Sequence, residues 1–355
     1  MKRIRCCVLL LAQTIFLNSI THSQTVFVNE ADETNKIGVT YFRSHDYETA
    51  SRYFTRALAE RPDLAEASYN LGAVYLVRKD YQAAIDLFEK VVKLRPDFPN
   101  GYGALGQAYA EVRKWAPAID SYQRALKLKG ADGFIYNELG VAYAALNQQN
   151  EAEAALQTAV QLLPQSPDAH YNLGTVYNVL GEHEKAIEEL QRAITLRPGY
   201  TAALSNLGST FMIAGEYRQA TEMYRKALTL EPENALVLEN LAHAYNQLKQ
   251  YKDAAGCFGK ALELSPGTVS VQVGLGYAFY GMNKYARSLE CYKAVALAQP
   301  TNAAAHFNLS ILYMTLNQRA KSLEHFRIVK QLDRKMGLDL FRHLYVDRVP
   351  DLRVA

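Results

Sequence analysis

The sequence predicts an all-α fold: a solenoid of nine tandem helix–turn–helix hairpins closed by a C-terminal helix. Three observations carry this. A Leu-Gly pair returns every 34 residues, as Leu71-Gly72, Leu105-Gly106, Leu139-Gly140, Leu173-Gly174, Leu207-Gly208 and Leu275-Gly276. Ile37-Gly38, Leu241-Ala242 and Leu309-Ser310 complete the register, so nine copies run from residue 31 to residue 335 without insertion or deletion. Within each copy the apolar positions are 3 and 4 residues apart, the spacing that gathers side chains on one face of an α-helix.

Numbering each copy from 1 to 34, the marked positions are 7, 8, 11, 20, 24, 27 and 32. The first three share a face of a first helix, and 20, 24 and 27 share a face of a second. Glycine inside a helix costs about 1 kcal/mol relative to alanine. Seven copies accept that cost at position 8, so a packing reason is expected: the missing side chain lets the two helices cross closely. An aromatic ring at position 11, from Tyr41 to Tyr313, is expected to fill the gap beside it. Small residues at 20 and 27 leave room for a large one at 24. Proline at 32 ends the second helix, having no N–H to donate. This register resembles the tetratricopeptide repeat. The resemblance implies a right-handed superhelix whose first helices line a concave groove and hold a protein or peptide partner.

Outside the repeats, residues 1–23 begin with Lys2, Arg3 and Arg5, continue into an apolar run from Cys6 to Leu17, and end in small polar residues. This is the pattern of a secretory signal peptide, and it predicts export to the periplasm or the extracellular space. The run falls short of the roughly 20 residues of a membrane span. Residues 24–30 form a lead-in, and 336–355 a cap and tail. The chain has 39 basic and 36 acidic residues. Residues 1–23 contain three basic and no acidic residues, so the remainder is balanced (36 against 36) and has no basic excess for nucleic acid. Cys257 and Cys291 stand one repeat apart, where neighbouring helices are 8–10 Å apart. A disulfide needs Cα atoms within about 7 Å, so two separate thiols are expected.

Along the array, repeat 3 has Gly130 in place of the terminal proline and Gly133 after it, which predicts the loosest junction. Repeats 8 and 9 drift, with Ser288, Ser322, Val295 and Val329 at the small positions. No enzyme is legible. Gly101, Gly103 and Gly106 fit G-x-G-x-x-G, but a dinucleotide fingerprint needs a strand before it, and here the pattern falls inside helical repeats. No cofactor or metal site is expected. Asn308-Leu-Ser310 matches a glycosylation sequon within a helix, a poor acceptor.

The resemblance assigns the groove to positions 2, 5, 6, 9, 12 and 13. Its charges are Asp32, Glu66, Glu111, Glu138, Asp168 and Glu239 against Lys36 and Arg43, a mildly acidic surface suited to a neutral or basic partner. Position 6 is Asn70, Asn172, Asn206, Asn240 and Asn308. An asparagine amide both donates and accepts, so a spaced row of them can pair with a peptide backbone whatever its side chains. Such a row resembles the superhelix of the O-GlcNAc transferase tetratricopeptide region. Packing between helices is the other use of these asparagines. Tyr171, Thr175, Asn178, Ser209, Glu239, His243 and Asn246 complete a polar segment in repeats 5–7. Tyr277, Tyr280, Phe307, Ile311 and Met314 form an apolar patch in repeats 8 and 9, either for a partner or for the tail to cover, the tail being favoured. The functional reading is a non-catalytic scaffold holding an extended peptide or partner protein. Glycan binding, or service as the accessory part of an enzyme on another chain, stands as the alternative.

Overall fold

The computed structural model describes residues 30–345, and every element among them is an α-helix. They fall into two compact units, divided between Leu180 and Gly181. The first contains α1 (Glu30–Arg43), α2 (Tyr47–Glu60), α3 (Ala65–Val77), α4 (Tyr81–Leu94), α5 (Pro99–Glu111), α6 (Trp115–Lys129), α7 (Gly133–Ala145), α8 (Gln149–Leu162) and α9 (Pro167–Leu180). The second contains α10 (His183–Leu196), α11 (Thr201–Ile213), α12 (Tyr217–Leu230), α13 (Ala235–Gln247), α14 (Tyr251–Leu264), α15 (Val269–Gly281), α16 (Tyr285–Ala298), α17 (Ala303–Thr315), α18 (Arg319–Leu332) and α19 (Arg334–Tyr345). The signal-peptide segment, most of the lead-in and the tail after Tyr345 lie outside the described residues.

Each unit is built by one rule. The first helix of a hairpin packs on its own second helix, and that second helix packs on the next first helix. The core clusters follow the second kind of contact: Phe88 and Val91 of α4 meet Leu105 and Ala108 of α5, and Phe258 and Ala261 of α14 meet Val271 and Leu275 of α15. A single hairpin therefore buries only part of its apolar surface, and stacking buries the rest.

The turn inside each hairpin is uniform. Its position-15 residue is left-handed in every copy: His45, Lys79, Arg113, Asn147, Gly181, Gly215, Lys249, Asn283 and Asn317 have φ between 58 and 78°. In the first hairpin His45 N–H donates to the Phe42 carbonyl and Asp46 N–H to that of Tyr41, the paired bonds that close a helix C-terminus. The Asp46 carboxylate then accepts from Thr49 N–H at 3.0 Å and caps the next helix, which holds its carboxyl below the usual carboxylate range.

Two packing expectations are corrected here. The close crossing at position 8 is real, but the ring at position 24 fills it, not the one at 11. A Cβ added to Gly106 would lie 2.6 Å from the Tyr122 ring, and one on Gly38 equally near Phe54. The position-11 tyrosine instead reaches back to the preceding hairpin. Tyr109 donates its hydroxyl to Glu89, while Tyr143 and Tyr177 accept from Gln123 at 2.8 Å and Gln157 at 3.0 Å. All three partners occupy position 25. Burial, then the Glu89 hydrogen bond, pushes the Tyr109 hydroxyl up to about 12.

Nor is the junction after repeat 3 loose. Gly130 turns at φ 84°, and Asp132 caps α7 by accepting from Phe134 and Ile135 N–H while Lys129 bonds its other oxygen at 2.8 Å. A capped, ion-paired turn replaces the proline stop. In the drifting repeats the serines have a use: Ser288 Oγ donates to the Gly276 carbonyl at 2.7 Å, and Ser310 Oγ to that of Ser322 at 2.8 Å, both bonds buried.

Two glycine substitutions of opposite sign check the crossing. Gly106→Ala is expected to destabilise the protein by about 1–3 kcal/mol through overpacking against Tyr122. Gly256→Ala, in α14 with nothing near its Cβ, is expected to stabilise it by about 1 kcal/mol. Urea midpoints at constant slope measure both.

Candidate interaction surface

In the first unit the position-6 asparagines point into the stack between hairpins. Asn70 on α3 is buried and donates Nδ2 to Asn35 Oδ1 on α1 at 3.0 Å. Asn172 on α9 makes the same bond to Asn137 on α7 at 2.9 Å, and Asn137 donates in turn to Glu138. The bond joins position 6 of one hairpin to position 5 of the one before. Tyr171, Thr175 and Asn178 are half-buried on the same helix, where Thr175 Oγ1 donates to its own helix at the Tyr171 carbonyl.

The acidity expected of this face is compensated in part. Asp32 is ion-paired with Arg61, and Glu66 with Arg95 at 3.0 Å. Both arginines occupy position 31, outside the six positions assigned to the groove, so counting those positions alone overstates the negative charge. Tyr81 hydrogen-bonds Glu111, and burial together with that carboxylate raises its hydroxyl.

In the second unit, Asn206 and Ser209 on α11 and Glu239, Asn240 and His243 on α13 are all half-buried. Ser209 Oγ lies 3.0 Å from the Tyr224 hydroxyl, tying the polar strip to the position-24 core. His243 lies 3.8 Å from Glu239, with its ring edge-on to Phe258 at 5.0 Å. Burial pulls the imidazole below its ordinary value, against the raising effect of Glu239. At either end of the strip stands a large aliphatic side chain left mostly in solvent: Ile213 and Leu236, each 63% exposed.

Two other asparagines are not surface groups. Asn246 is buried and donates Nδ2 to the Gly274 carbonyl of the next hairpin at 3.0 Å, and Asn308 is wholly buried. Burial of Asn308 and Ser310 also closes the glycosylation sequon. The glycine triplet Gly101, Gly103 and Gly106 lies within α5 with a helix before it, not a strand. Among the described residues no group of three or more His, Cys, Asp or Glu is placed to hold a metal ion, and no helix is long and apolar enough to cross a membrane.

The apolar patch is covered in part. Phe307 and Ile311 are fully buried in a cluster completed by Leu340 of α19, with Met336 and Leu344 packed around it. Tyr277, Tyr280 and Met314 remain half-buried. Helix α19 thus packs over Phe307 and Ile311.

Family models of the tetratricopeptide repeat match residues 35–99, 104–167, 137–201 and 273–335, and a second such model matches 211–272. The chain belongs to the tetratricopeptide-repeat family. No curated protein matches it. Among solved structures it is similar to the pilF protein of Pseudomonas aeruginosa, with 25% identity and a TM-score of 0.50 over 58% of this chain and 95% of that one. The Cut9–Hcn1 hetero-tetramer of the APC/C shares the fold at 17% identity and a TM-score of 0.52, over 89% of this chain and 67% of that one. MamA aligns with 46% of this chain and 96% of its own, at 31% identity and a TM-score of 0.43.

The tetratricopeptide stacking also keeps Cys257 and Cys291 as separate thiols. Burial raises both, Cys291 to about 11. The thiolate is the nucleophile, so at pH 8 Cys291 is expected to alkylate on the order of a hundredfold more slowly than free cysteine. Half-buried Cys257 should react ahead of it. Peptide-resolved alkylation before and after denaturation checks the order.

Proposed function

We propose that this tetratricopeptide chain is an exported, non-catalytic scaffold that holds an extended, neutral or basic peptide segment of a partner protein on its first-helix face. One observation carries the reading: on α11 and α13 a strip of half-buried polar groups, Asn206, Ser209, Glu239 and Asn240, runs between two aliphatic side chains, Ile213 and Leu236, that stay 63% exposed. Amides with donor and acceptor on one atom set suit a peptide unit, and exposed aliphatics beside them suit its side chains. Glu239 supplies the negative charge that favours a basic segment. Export rests on the Lys2, Arg3, Arg5 start and the apolar run after it.

Asn206 and Asn240 are the asparagines to change, because both lie half-buried in this strip. The test is therefore the double variant Asn206→Ala/Asn240→Ala, run against the unaltered protein on an array of unstructured neutral, basic and acidic peptides. Neutral and basic peptides should be captured, with affinity falling about tenfold or more in the variant as amide hydrogen bonds are lost. Melting temperatures run in parallel separate lost binding from lost fold. Equal capture by both proteins would overturn the asparagine reading, and competition by soluble oligosaccharides would favour a glycan instead.

A further inference from the structure

The C-terminal hairpin contains a pair of histidines that the binding reading does not use. His306 on α17 and His325 on α18 approach Nδ1 to Nδ1 at 2.9 Å, with ring centroids 5.1 Å apart and planes inclined by only 30°. That centroid separation is close to two ring radii added to the 2.9 Å contact, so the rings meet edge to edge with their Nδ1 atoms head-on. Such an approach holds one proton between two nitrogens. It does not converge both lone pairs on a third point, as a metal ion would require.

His306 is fixed from its other side. Its Nε2 lies 3.0 Å from the Pro300 carbonyl, an acceptor only, so Nε2 carries a proton and donates. In the neutral pair the His306 Nδ1 lone pair must then accept from His325 Nδ1–H. One added proton is tolerated, because His306 can become the donor at Nδ1 while His325 turns acceptor. A second proton leaves two N–H groups and two positive charges facing each other at hydrogen-bond distance.

The surroundings give little relief. Tyr313 lies parallel to His325 with centroids 5.5 Å apart, and Lys293 of α16 and Lys321 of α18 both approach that tyrosine ring. Burial is the main cause that lowers the His325 imidazole, His306 and Lys293 add to it, and Glu324 alone opposes them. From the cap, His343 of α19 stands edge-on to Phe307, the residue next to His306. Residues 303–345 carry seven Lys and Arg against three Asp and Glu, a net +4, and their three histidines would bring this to +7.

What these charges would move is the cap. Helix α19 is short and terminal, the kind of element that opens locally at low cost. It covers Phe307 and Ile311 through Leu340, Met336 and Leu344, and its own charges are mostly cationic.

We propose that the His306–His325 pair is an acid-sensitive latch: its double protonation loosens the last hairpin, releases α19, and uncovers the apolar face around Phe307 and Ile311. The sign follows from the pair. Its second proton binds more weakly in the folded hairpin than in an opened one, so closure is complete above the ordinary histidine range and is lost as pH falls through it.

Hydrogen exchange of the full chain at pH 7.5 and pH 5, corrected for the intrinsic rate, tests this. Protection of α17–α19 should fall about tenfold for each unit by which the second proton is disfavoured, while α3–α5 stay protected. The variant His306→Gln/His325→Gln, which retains hydrogen-bonding groups but cannot titrate there, should remain protected at pH 5. Unchanged protection of the natural protein in acid would overturn the proposal, and so would an equal loss in the variant. Should the variant fail to fold, imidazole nitrogen resonances of the natural protein decide the matter. One proton held between the two nitrogens while the hairpin is closed, with the second taken up only as α17–α19 lose protection, supports the latch; two independent titrations near the ordinary value overturn it.

Discussion

The array depends on how closely two helices can cross within one hairpin. That distance is limited by the Cβ absent at position 8 and by the large side chain at position 24 that takes its place. Phe54, Phe88, Tyr122, Leu156 and Tyr224 each press against a glycine backbone at less than van der Waals distance for an added carbon. With the crossing set, the buried small residues at 20 and 27 bring the second helix against the next first helix. The same geometry can then be passed on, because each second helix offers its neighbour an identical surface. Where alanine or glycine gives way to serine, in the last two repeats, a buried hydrogen bond to the facing helix satisfies the hydroxyl.

The polar residues at fixed positions divide between this architecture and the surface. Tyrosine recurs at position 11 in seven copies and asparagine at position 6 in five, and both can serve as links between consecutive hairpins. Tyr143 and Asn172 are examples, the first accepting from Gln123 and the second donating to Asn137. Recurrence alone does not separate a binding ladder from a packing ladder, since either would repeat with the unit. What distinguishes Asn206 and Asn240 from Asn246 and Asn308 is residual exposure, together with the bare Ile213 and Leu236 beside them.

The C-terminal end shows how an array of this kind is finished. A first helix without a successor would leave an apolar face in water, and α19 supplies the cover with Leu340 at its centre. The cover is cationic and lies beside a proton-sharing imidazole pair, so its attachment is tied to charge as well as to apolar contact. The polar strip of α11 and α13 lies elsewhere in the second unit and shares no residue with this end.

Helix, turn and hairpin were legible in the sequence because they follow from local chemistry repeated nine times. A glycine that must face another helix, a proline that must end one, and apolar spacings of 3 and 4 leave little freedom. The covered patch and the separate thiols were also within reach, since both follow from one repeat spacing and one amphipathic tail. Which ring fills the glycine gap was not, because positions 11 and 24 offer similar aromatics and only the helix crossing decides between them. Nor could charge counting by position foresee that Arg61 and Arg95 would neutralise Asp32 and Glu66, pairs some thirty residues apart in sequence. The sequence by itself determined the repeat, its helices and its cap. Tertiary structure alone decided which asparagines are spent on packing and that two histidines 19 residues apart meet at Nδ1, because burial and side-chain approach depend on neighbours one hairpin away.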